Sequence, residues 1–440
     1  MVGKASLLLV LGFSVIFLVF GERFGSLSNQ AVDNMTGYYA QTVAHDCAVA
    51  GANMAANKVF LDNNWSGGFY NRPFNGGIIN VTVKHTSQYG DSVIQITSIG
   101  TCDDTTHKSV VILRPSKFSK FAYYSVKEIG PDGSIIYWTA NDVVSGPFHS
   151  QDYIHVSKHP VFNGKVTTAQ SDLAYLNNKN SDYPEFNAGY EPNIDMPIPF
   201  SSIDNLKSIA KTGGKDIPQS STTTTTTHTS WWGTYTTTTT TVDTVYITFI
   251  VDSVQVRMGY AKPSTTYKTS EFTPNGVIFV EGMDLRLQGT VEGQYTVCSD
   301  QNIYLDNDIV YKTNPVTNPS STDLLGICAQ NNVYITDNSA NRNDINIDAA
   351  IYSETGGLEA QNYTTGSPRG SINLVGGITQ FQRHGVGTFQ TNNGVGVGVG
   401  SIKILSGYNK RYQYDNRLRT ISPPFFPNTG RFEVVSWLEE

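Results

Sequence analysis

The feature that most constrains this chain is an uninterrupted apolar segment close to its first residue, ASLLLVLGFSVIFLVFG, from Ala5 to Gly21. Lys4 precedes this segment, and Glu22 and Arg23 follow it. About 17 apolar residues are close to the lower limit for a helix that crosses a ~30 Å hydrocarbon core. The position of Lys4 predicts a cytoplasmic N-terminus, with the rest of the chain outside the membrane. The side chains predicted to contact lipid are Leu7, Leu8, Leu9, Phe13, Ile16 and Phe17.

A cleaved secretory signal peptide is the alternative to a retained anchor. Val19-Phe20-Gly21 has residues small enough at the required offsets for cleavage before Glu22. The sequence that follows favours the retained anchor, because residues 27–61 have no Gly/Pro cluster and continue a helical pattern. We therefore expect one helix of about 55 residues, apolar in its first third and amphipathic afterwards. The residues at helical spacing are Val32, Met35, Tyr39, Val43, Cys47, Ala50 and Met54.

Small side chains are concentrated in the later part of this predicted helix, in the segment AVAGANMAA from Ala48 to Ala56. Small residues allow a helix backbone to approach a neighbouring surface closely. We expect this segment to pack on the protein's own sheet, and the alternative is a contact with a neighbouring chain.

Composition excludes several functional classes. The 440 residues are only 15% charged, with a net charge of −7 and no long basic run, which argues against a nucleic-acid partner. The four cysteines include no CxxC pair, and no Cys/His group has the spacing of a zinc site. No P-loop, GxGxxG, HExxH, GxSxG or SxxK motif is convincingly placed. We therefore expect no enzyme activity, no metal and no cofactor.

The sequence is rich in glycine, tyrosine and threonine, and it predicts a mainly β protein that begins with one long helix. A short antiparallel sheet should pack on the helix, with strands in IINVTVKH, SVIQITSIG and KSVVILR around a turn at residues 89–91. A parallel β-helix or solenoid should form the body. The predicted divisions are 1–62 (anchor and helix), 63–143 (antiparallel unit, including FAYYSV and SIIYWTA), 144–220 (solenoid-like coil and polar connection), 221–260 (Thr/Trp-rich segment), 261–422 (solenoid repeats) and 423–440 (a cap on the open solenoid edge).

Two internal repeats support the solenoid interpretation. Val297-Cys298 and Ile327-Cys328 are each followed at the same spacing by a related block, NIYL and NVYI respectively. A second pair of blocks, INIDAAI from Ile345 and INLVGGI from Ile372, follows. Repeats of this length are typical of stacked coils in which equivalent residues form ladders. Cys298 and Cys328 should then lie within disulfide range, so they form either a disulfide or two stacked free thiols. Cys47 and Cys102 are a second candidate pair.

Several polar groups are candidate ligands or catalytic residues. His149, His155 and His159 suggest a metal site only weakly, because strand alternation puts His149 on the opposite face. Acidic and amide residues at predicted coil corners suggest calcium, although turns use the same residue types. These residues are Asp300, Asp306, Asp308, Asp337, Asn338, Asn341 and Asp344, and Arg286 completes a conceivable catalytic group with the first three. The glycine run Asn392–Ser401 predicts a flexible loop or a hairpin tip.

The segment from residue 221 to 241 consists of two threonine runs that flank Trp231-Trp232-Gly233-Thr234-Tyr235. Threonine favours strands, so the segment is either a protruding β-ribbon or a flexible Thr-rich linker. Trp231, Trp232 and Tyr235 would be exposed at the tip of such a ribbon. They are candidate docking residues, because large exposed apolar groups often mark binding sites.

The segments Gly146–Thr167 and Pro423–Trp437, together with NGVIFVEG and NIYLDNDIVY, resemble an uncharacterised bacterial family of PilX-like pilus-assembly envelope proteins. The resemblance covers nearly the whole chain except the Thr/Trp segment. It implies a type IV pilin-like N-terminal helix. Type IV pilins are processed after a glycine and carry Glu at the fifth mature position, whereas processing after Gly3 would put Leu8 there. The resemblance therefore implies the anchor more directly than it implies a standard pilus subunit.

Together these features predict a non-catalytic structural or adhesive protein of the bacterial cell surface, such as a minor pilin or filament component. Its expected partners are the membrane, further copies of itself or pilin-like proteins, and surface glycans. The alternative is a secreted β-helix protein, with a cleaved signal peptide, that binds carbohydrate or degrades polysaccharide.

Overall fold

The computed structural model describes residues 2–88, 91–200, 202–391 and 402–440. Residues 89 and 90 of the predicted turn and the glycine run Asn392–Ser401 lie outside the described residues. The helices are α1 (Val2–Leu61), α2 (Asp204–Gly213) and α3 (Thr269–Phe272). The strands are β1 (Phe69–Phe74), β2 (Gly77–Gln88), β3 (Asp91–Cys102), β4 (Thr105–Lys117), β5 (Tyr123–Lys127), β6 (Val143–Ser145), β7 (Phe148–Ser150), β8 (His155–Val156), β9 (Val161–Phe162), β10 (Val166–Thr168), β11 (Ala174–Tyr175), β12 (Glu185–Phe186), β13 (Tyr190–Glu191), β14 (Lys215–Ile217), β15 (Ser221–Ser230), β16 (Gly233–Val242), β17 (Val245–Val251), β18 (Ser253–Met258), β19 (Thr265–Lys268), β20 (Val277–Val280), β21 (Leu285–Val291), β22 (Gln294–Ser299), β23 (Ile303–Tyr311), β24 (Leu324–Ala329), β25 (Val333–Ile335), β26 (Ile345–Ser353), β27 (Leu358–Ala360), β28 (Pro368–Gln382), β29 (Gly387–Thr391), β30 (Ile402–Tyr414) and β31 (Asn428–Glu439).

The chain divides into two units, Met1–Pro115 with Arg431–Glu440, and Ser116–Gly430. In the first unit, β1, β2, β3 and β4 pair in order as an antiparallel sheet, which confirms the strands predicted in this region. β31 is the fifth strand of the sheet, next to β4. The fold is therefore mainly β with one long N-terminal helix and an antiparallel sheet packed on that helix.

The second half of α1 is held on this sheet by small side chains. Ala44, Ala48, Ala52 and Ala55 are completely buried, and they recur every three or four residues along one helix face. Ala44, Ala52 and Ala55 share a core with valine, isoleucine and leucine side chains of β2, β3 and β4. The prediction that the segment Ala48–Ala56 packs on the protein's own sheet is confirmed.

Glycine lets the helix and the sheet approach each other at one point. A Cβ atom on Gly100 of β3 would overlap the backbone oxygen of Ala44 and the backbone nitrogen of Ala48. Because both neighbours are backbone atoms of a helix, neither can move aside as a flexible side chain would. Gly100 is therefore a packing requirement of the helix–sheet interface.

We predict that Gly100→Ala lowers the free energy of unfolding of the first unit by about 1–3 kcal/mol, because the added methyl group overpacks the interface. The matched control is Gly37→Ala in α1, where a Cβ would meet no atom within 4 Å. This control should keep or slightly raise stability. Thermal unfolding of the full chain in detergent, followed by circular dichroism, measures both effects. Equal melting curves for the two variants would contradict this packing role.

Parallel strands dominate the second unit; three ladders contain most of them, and β8 and β11 form a separate parallel pair. The first contains, in spatial order, β14, β20, β22, β24, β26, β28, β5, β7, β10 and β13. The second contains β17, β21, β23, β25 and β27, and the third β28, β30, β6, β9 and β12. Antiparallel pairs occur at β17–β18–β19 and at β29–β30.

The registers inside these ladders are those that the sequence repeats predict. Cys298 pairs with Cys328, Tyr304 pairs with Tyr334, and Ile345 pairs with Ile372. The rings of Tyr304 and Tyr334 stack with their centroids 5.1 Å apart. Equivalent residues of successive repeats therefore form ladders.

The spatial order of the ladders differs from the predicted chain order. Residues 123–191 stack beyond β28 and β30, and Ile378 of β28 pairs with Tyr123 of β5. β5 is thus part of a parallel ladder rather than of the antiparallel unit predicted for 63–143. SIIYWTA forms only isolated bridges, at Ile135 and Trp138. The position of β5 could not be predicted, because its partner lies about 250 residues away in a segment with no similar sequence.

The C-terminal segment does not form the predicted cap. β31 supplies the fifth strand of the antiparallel sheet, where Lys108 and Glu440 exchange two backbone hydrogen bonds of 2.9 and 2.8 Å. The preceding PPFFP segment packs on the side of the parallel ladders, where Phe426 is buried against Gly326 and Thr296 donates to the carbonyl oxygen of Pro424. β5 and β6, and not residues 423–440, pair with the edges of β28 and β30.

A buried ionic network links two distant segments of the second unit. Arg383 donates to Glu128 at 2.7 Å, and its guanidinium carbon lies 4.2 Å from the ring centroid of Trp138. Lys410 donates to Asp142 at 2.6 Å on the other side of the network. All four charged side chains are buried. Breaking one such pair leaves a charge without a partner in a region that water does not reach.

We predict that Glu128→Gln destabilises the second unit by about 3–5 kcal/mol, because Arg383 would keep its charge and lose its buried counterion. Removing the exposed ion pair between Lys165 and Glu191 with Lys165→Gln is the control, and it should cost less than about 1 kcal/mol. Urea unfolding followed by tryptophan fluorescence compares the two variants. A Glu128→Gln midpoint equal to that of the control would show that the network does not stabilise the fold.

Candidate functional site

The first half of α1 is an unpacked apolar surface. Every residue from 3 to 39 is exposed, whereas one face of the helix is buried from Ala40 onwards. The predicted anchor side chains are among the exposed ones: Leu7, Leu8, Leu9, Phe13, Ile16 and Phe17 are 50–73% exposed. α1 is long and apolar enough to cross a membrane by length and composition, with a mean hydropathy of 2.2 in its most apolar window.

The dimensions of α1 distinguish two segments within its exposed half. At 1.5 Å per residue, residues 5–21 extend about 25 Å, which is close to the thickness of a hydrocarbon core. Residues 22–39 continue the helix for about 27 Å before it packs on the sheet. The segment from residue 22 to 39 still exposes large apolar side chains, and these are Phe24, Leu27, Val32, Met35, Tyr38 and Tyr39.

The Thr/Trp segment is a two-stranded antiparallel ribbon formed by β15 and β16. The register runs from Ser221 opposite Val242 to Ser230 opposite Gly233, so Trp231 and Trp232 occupy the turn. Ten residues per strand give a ribbon about 33 Å long. Nearly all of its residues are exposed, and cross-strand hydroxyl pairs such as Thr223–Thr240, at 3.0 Å, add to the backbone hydrogen bonds.

Aromatic side chains are concentrated at the free end of the ribbon. Trp231, Trp232 and Tyr235, which we call the aromatic tip, are 84%, 81% and 60% exposed. The two indole rings lie 3.8 Å apart, and Tyr235 stacks on His228 at 4.8 Å. The aromatic tip is a pair of adjoining apolar platforms bordered by threonine hydroxyl groups.

Hydrogen bonds to a single carboxylate stabilise the base of the ribbon. Thr222 and Ser220 donate to the two carboxylate oxygens of Asp243 at 2.6 and 2.7 Å. These bonds, with that from Thr222 the stronger, hold the pKa of Asp243 below its usual range. An ionised Asp243 thus ties the two strands together where they leave the body.

An open cavity of about 650 Å³ lies on the surface of the second unit and is lined by side chains of β17, β18, β21 and β23. Arg286 forms a two-pronged ion pair with Asp306, with N–O distances of 2.8 and 2.6 Å. Tyr246 and Arg257 line the same cavity, with the guanidinium carbon 3.8 Å from the ring centroid. Arginine N–H groups and tyrosine hydroxyl groups can bind polar ligands.

The other candidate acidic residues do not converge on this cavity. Asp308 accepts hydrogen bonds from the backbone and side chain of Asn346, both at 2.9 Å. Asp300 accepts one from the backbone of Gly282 at 2.6 Å, and burial raises the pKa of Asp300. Corner residues such as Asn341 and Asp344 likewise bond to neighbouring backbone groups. These side chains therefore bond to neighbouring strands and turns, and Asp308 itself lies within β23.

The three candidate histidines are held in separate surroundings. His149 is buried, its Nδ1 lies 2.7 Å from the Thr167 hydroxyl, and burial lowers its pKa to about 4. His159 Nδ1 lies 3.0 Å from the carbonyl oxygen of Tyr183, and His155 is in β8. Within the described residues, three other side chains form a group of potential metal ligands, and these are His45, His107 and Glu439. Sequence reasoning missed this group because its members lie far apart in the chain.

All four cysteines of the described chain are buried free thiols. Cys298 and Cys328 are in register on adjacent strands, and burial raises the pKa of Cys328 well above its usual value. A thiol with little tendency to ionise reacts slowly with oxidants. A disulfide between these residues stays a prediction. Burial also raises the pKa of Cys47, whose sulfur donates to the carbonyl oxygen of Phe74.

No protein-family model matches the chain, and no curated protein matches it. Among solved structures, the chain is similar to the competence-associated pilin ComZ from Thermus thermophilus. The two share 11% sequence identity over 91% of this chain and 97% of that chain, with a TM-score of 0.37. A TM-score of this size is too low to establish a shared fold.

Proposed function

We propose that this chain is a non-catalytic, pilin-like protein of the bacterial envelope, held in the membrane by the first part of α1 with its body outside. The observation that carries this proposal is the division of α1 into an exposed apolar half and a half packed on its own sheet. A continuous row of exposed leucine and phenylalanine side chains is not stable in water, because its apolar area is far larger than an ordinary surface patch. Lipid around residues 5–21 would cover it.

The segment of α1 between the anchor and the sheet supports association with other helices. Phe24, Leu27, Ala31, Met35 and Tyr38 recur at intervals of three or four residues and form a narrow stripe along one face. This stripe lies beyond the span that lipid would cover. The stripe would pack on the equivalent helix of another copy or of a pilin-like partner. Such packing is what a minor pilin or a filament component requires.

We further propose that the second unit is a β-solenoid body. Its support is the long parallel ladders with in-register repeats, in which each strand covers the edge of the next. Such a body would carry the threonine ribbon, which would present the aromatic tip at its free end. Adhesion to surface glycans is the role we propose for the tip, because indole faces pack on the C–H faces of sugar rings.

The anchor proposal predicts that Phe13→Arg, at the centre of the apolar segment, releases the protein from the membrane. A charged residue at this depth costs about 2.5–3.5 kcal/mol for insertion. Phe24→Arg is the matched control, since it makes the same change in the same helix outside the apolar segment, and it should leave retention unchanged. Membrane fractions washed with alkaline carbonate and probed by immunoblot give the readout. Full retention of Phe13→Arg would argue against the span.

The adhesion proposal predicts that the double variant Trp231→Ala/Trp232→Ala weakens glycan binding by about thirtyfold or more, as expected when hot-spot aromatics worth at least about 2 kcal/mol are lost. Its melting temperature should not change, because both side chains lie outside the core. Tyr70→Ala is the control, since Tyr70 is a 70% exposed aromatic residue of β1 that belongs neither to the aromatic tip nor to the lining of the cavity at Arg286. Glycan arrays probed with the full chain in detergent test this. Unchanged glycan binding by the double variant would contradict the proposed adhesive role of the aromatic tip.

The second candidate function is a secreted protein that binds carbohydrate through the cavity at Arg286 and Tyr246. The ion pair and aromatic rings there are the observation that favours it. This function would require a signal peptide cleaved before Glu22. The two candidates therefore differ first in the fate of the apolar segment, and then in whether glycan binding depends on the tip or on the cavity.

A further inference from the structure

Three potential metal ligands from three separate elements meet in the first unit. His45 lies in α1, His107 lies in β4, and Glu439 is the last residue of β31. Their ligand atoms all lie within 4.8 Å of one another. This histidine–glutamate cluster is distinct from the anchor, the aromatic tip and the surface cavity of the second unit.

One pair in the cluster already has the spacing of two ligands on one ion. His45 Nε2 lies 3.2 Å from a carboxylate oxygen of Glu439. Zinc–nitrogen and zinc–oxygen bonds of about 2.0–2.2 Å in tetrahedral geometry place ligand atoms roughly 3.4 Å apart. The widest separation in the cluster would close by about 1.4 Å, which rotation of exposed side chains can provide. The His45 and Glu439 side chains are 42% and 40% exposed, so solvent borders the part of each that would move.

His107 has an unused ligand atom at this place. Its Nε2 is buried and has no hydrogen-bond partner among the described residues. The rings of His45 and His107 meet edge to face with their centroids 4.8 Å apart. A buried imidazole nitrogen that has no hydrogen-bond partner costs free energy, because it has lost its hydration. A bound ligand would supply the partner that this nitrogen lacks.

The groups around the cluster suit a bound ion. Asp46 lies 3.5 Å from Nδ1 of His45, and Trp437 donates to the second carboxylate oxygen of Glu439 at 2.8 Å. Such outer contacts orient imidazole and carboxylate ligands. A cavity of about 470 Å³ lined by His45, His107 and Glu440 opens beside the cluster and gives an ion and its water access.

We propose that His45, His107 and Glu439 bind a transition-metal ion of the zinc class, with water at the fourth position. Two imidazoles and one carboxylate are a donor set that zinc accepts, whereas calcium and magnesium prefer sites made of oxygen alone. The ion would join the C-terminal strand to the helix and to β4, beside the paired backbones of Lys108 and Glu440. Metal binding would thus fix the last strand of the first unit.

The test uses the full chain in detergent, stripped of metal with a chelator and titrated with Zn²⁺ by calorimetry and with Co²⁺ by visible absorption. One ion per chain should bind, with the visible bands of four-coordinate Co²⁺. His107→Ala and Glu439→Gln should each weaken Zn²⁺ binding by at least about tenfold. His85→Ala is the matched control, because His85 lies on the same sheet with its Nε2 3.1 Å from the carbonyl oxygen of Trp65. Ca²⁺ and Mg²⁺ should not displace Zn²⁺ from the histidine–glutamate cluster.

A second measurement separates the site from loose surface binding. Zn²⁺ should slow amide hydrogen exchange in residues 431–440 of the unaltered protein and have no such effect in Glu439→Gln. Glu439 is exposed, so this variant is expected to fold even where His107→Ala does not. The proposal is overturned when the unaltered chain binds no Zn²⁺, or when both ligand variants bind it as tightly as the His85→Ala control.

Discussion

The packing of the second half of α1 on the antiparallel sheet is the interaction on which the rest of the structure depends. Alanine side chains and Gly100 bring the helix backbone close to the sheet and fix its direction. Because α1 is continuous, this contact also fixes the direction of residues 3–39, all of which are exposed. The apolar segment is therefore displayed by a rigid support rather than by a flexible tail.

Much of the first unit could be predicted because its signals are local. The helical spacing between Val32 and Met54 predicts the continuous helix, and alternation in the three strand segments predicts the antiparallel sheet. The fifth strand could not be predicted in this way. Residues 428–439 resemble any strand, and only the tertiary structure shows that they pair with β4. The cluster of His45, His107 and Glu439 could not be predicted for the same reason, because only the tertiary structure brings its three elements together.

In the second unit, the pairing of neighbouring repeats could be predicted from the sequence, whereas the pairing of distant segments could not. Registers between neighbouring repeats, such as Cys298 with Cys328, follow from sequence similarity at a fixed offset. The stacking of β5 on β28 follows no repeat, and it places residues 123–127 beside residues 378–382. The buried ion pairs of Arg383 with Glu128 and of Lys410 with Asp142 connect the same two regions. Partners this far apart are set by the whole fold, so inspection of either segment alone could not identify them.

We propose that the apolar segment from Ala5 to Gly21 is retained and holds the protein in the membrane. The most direct measurement is the intact mass and N-terminal sequence of the native protein from fractionated cells. We expect a membrane-bound polypeptide that still contains the apolar segment. A soluble polypeptide that begins at Glu22 would contradict it and would favour the secreted alternative.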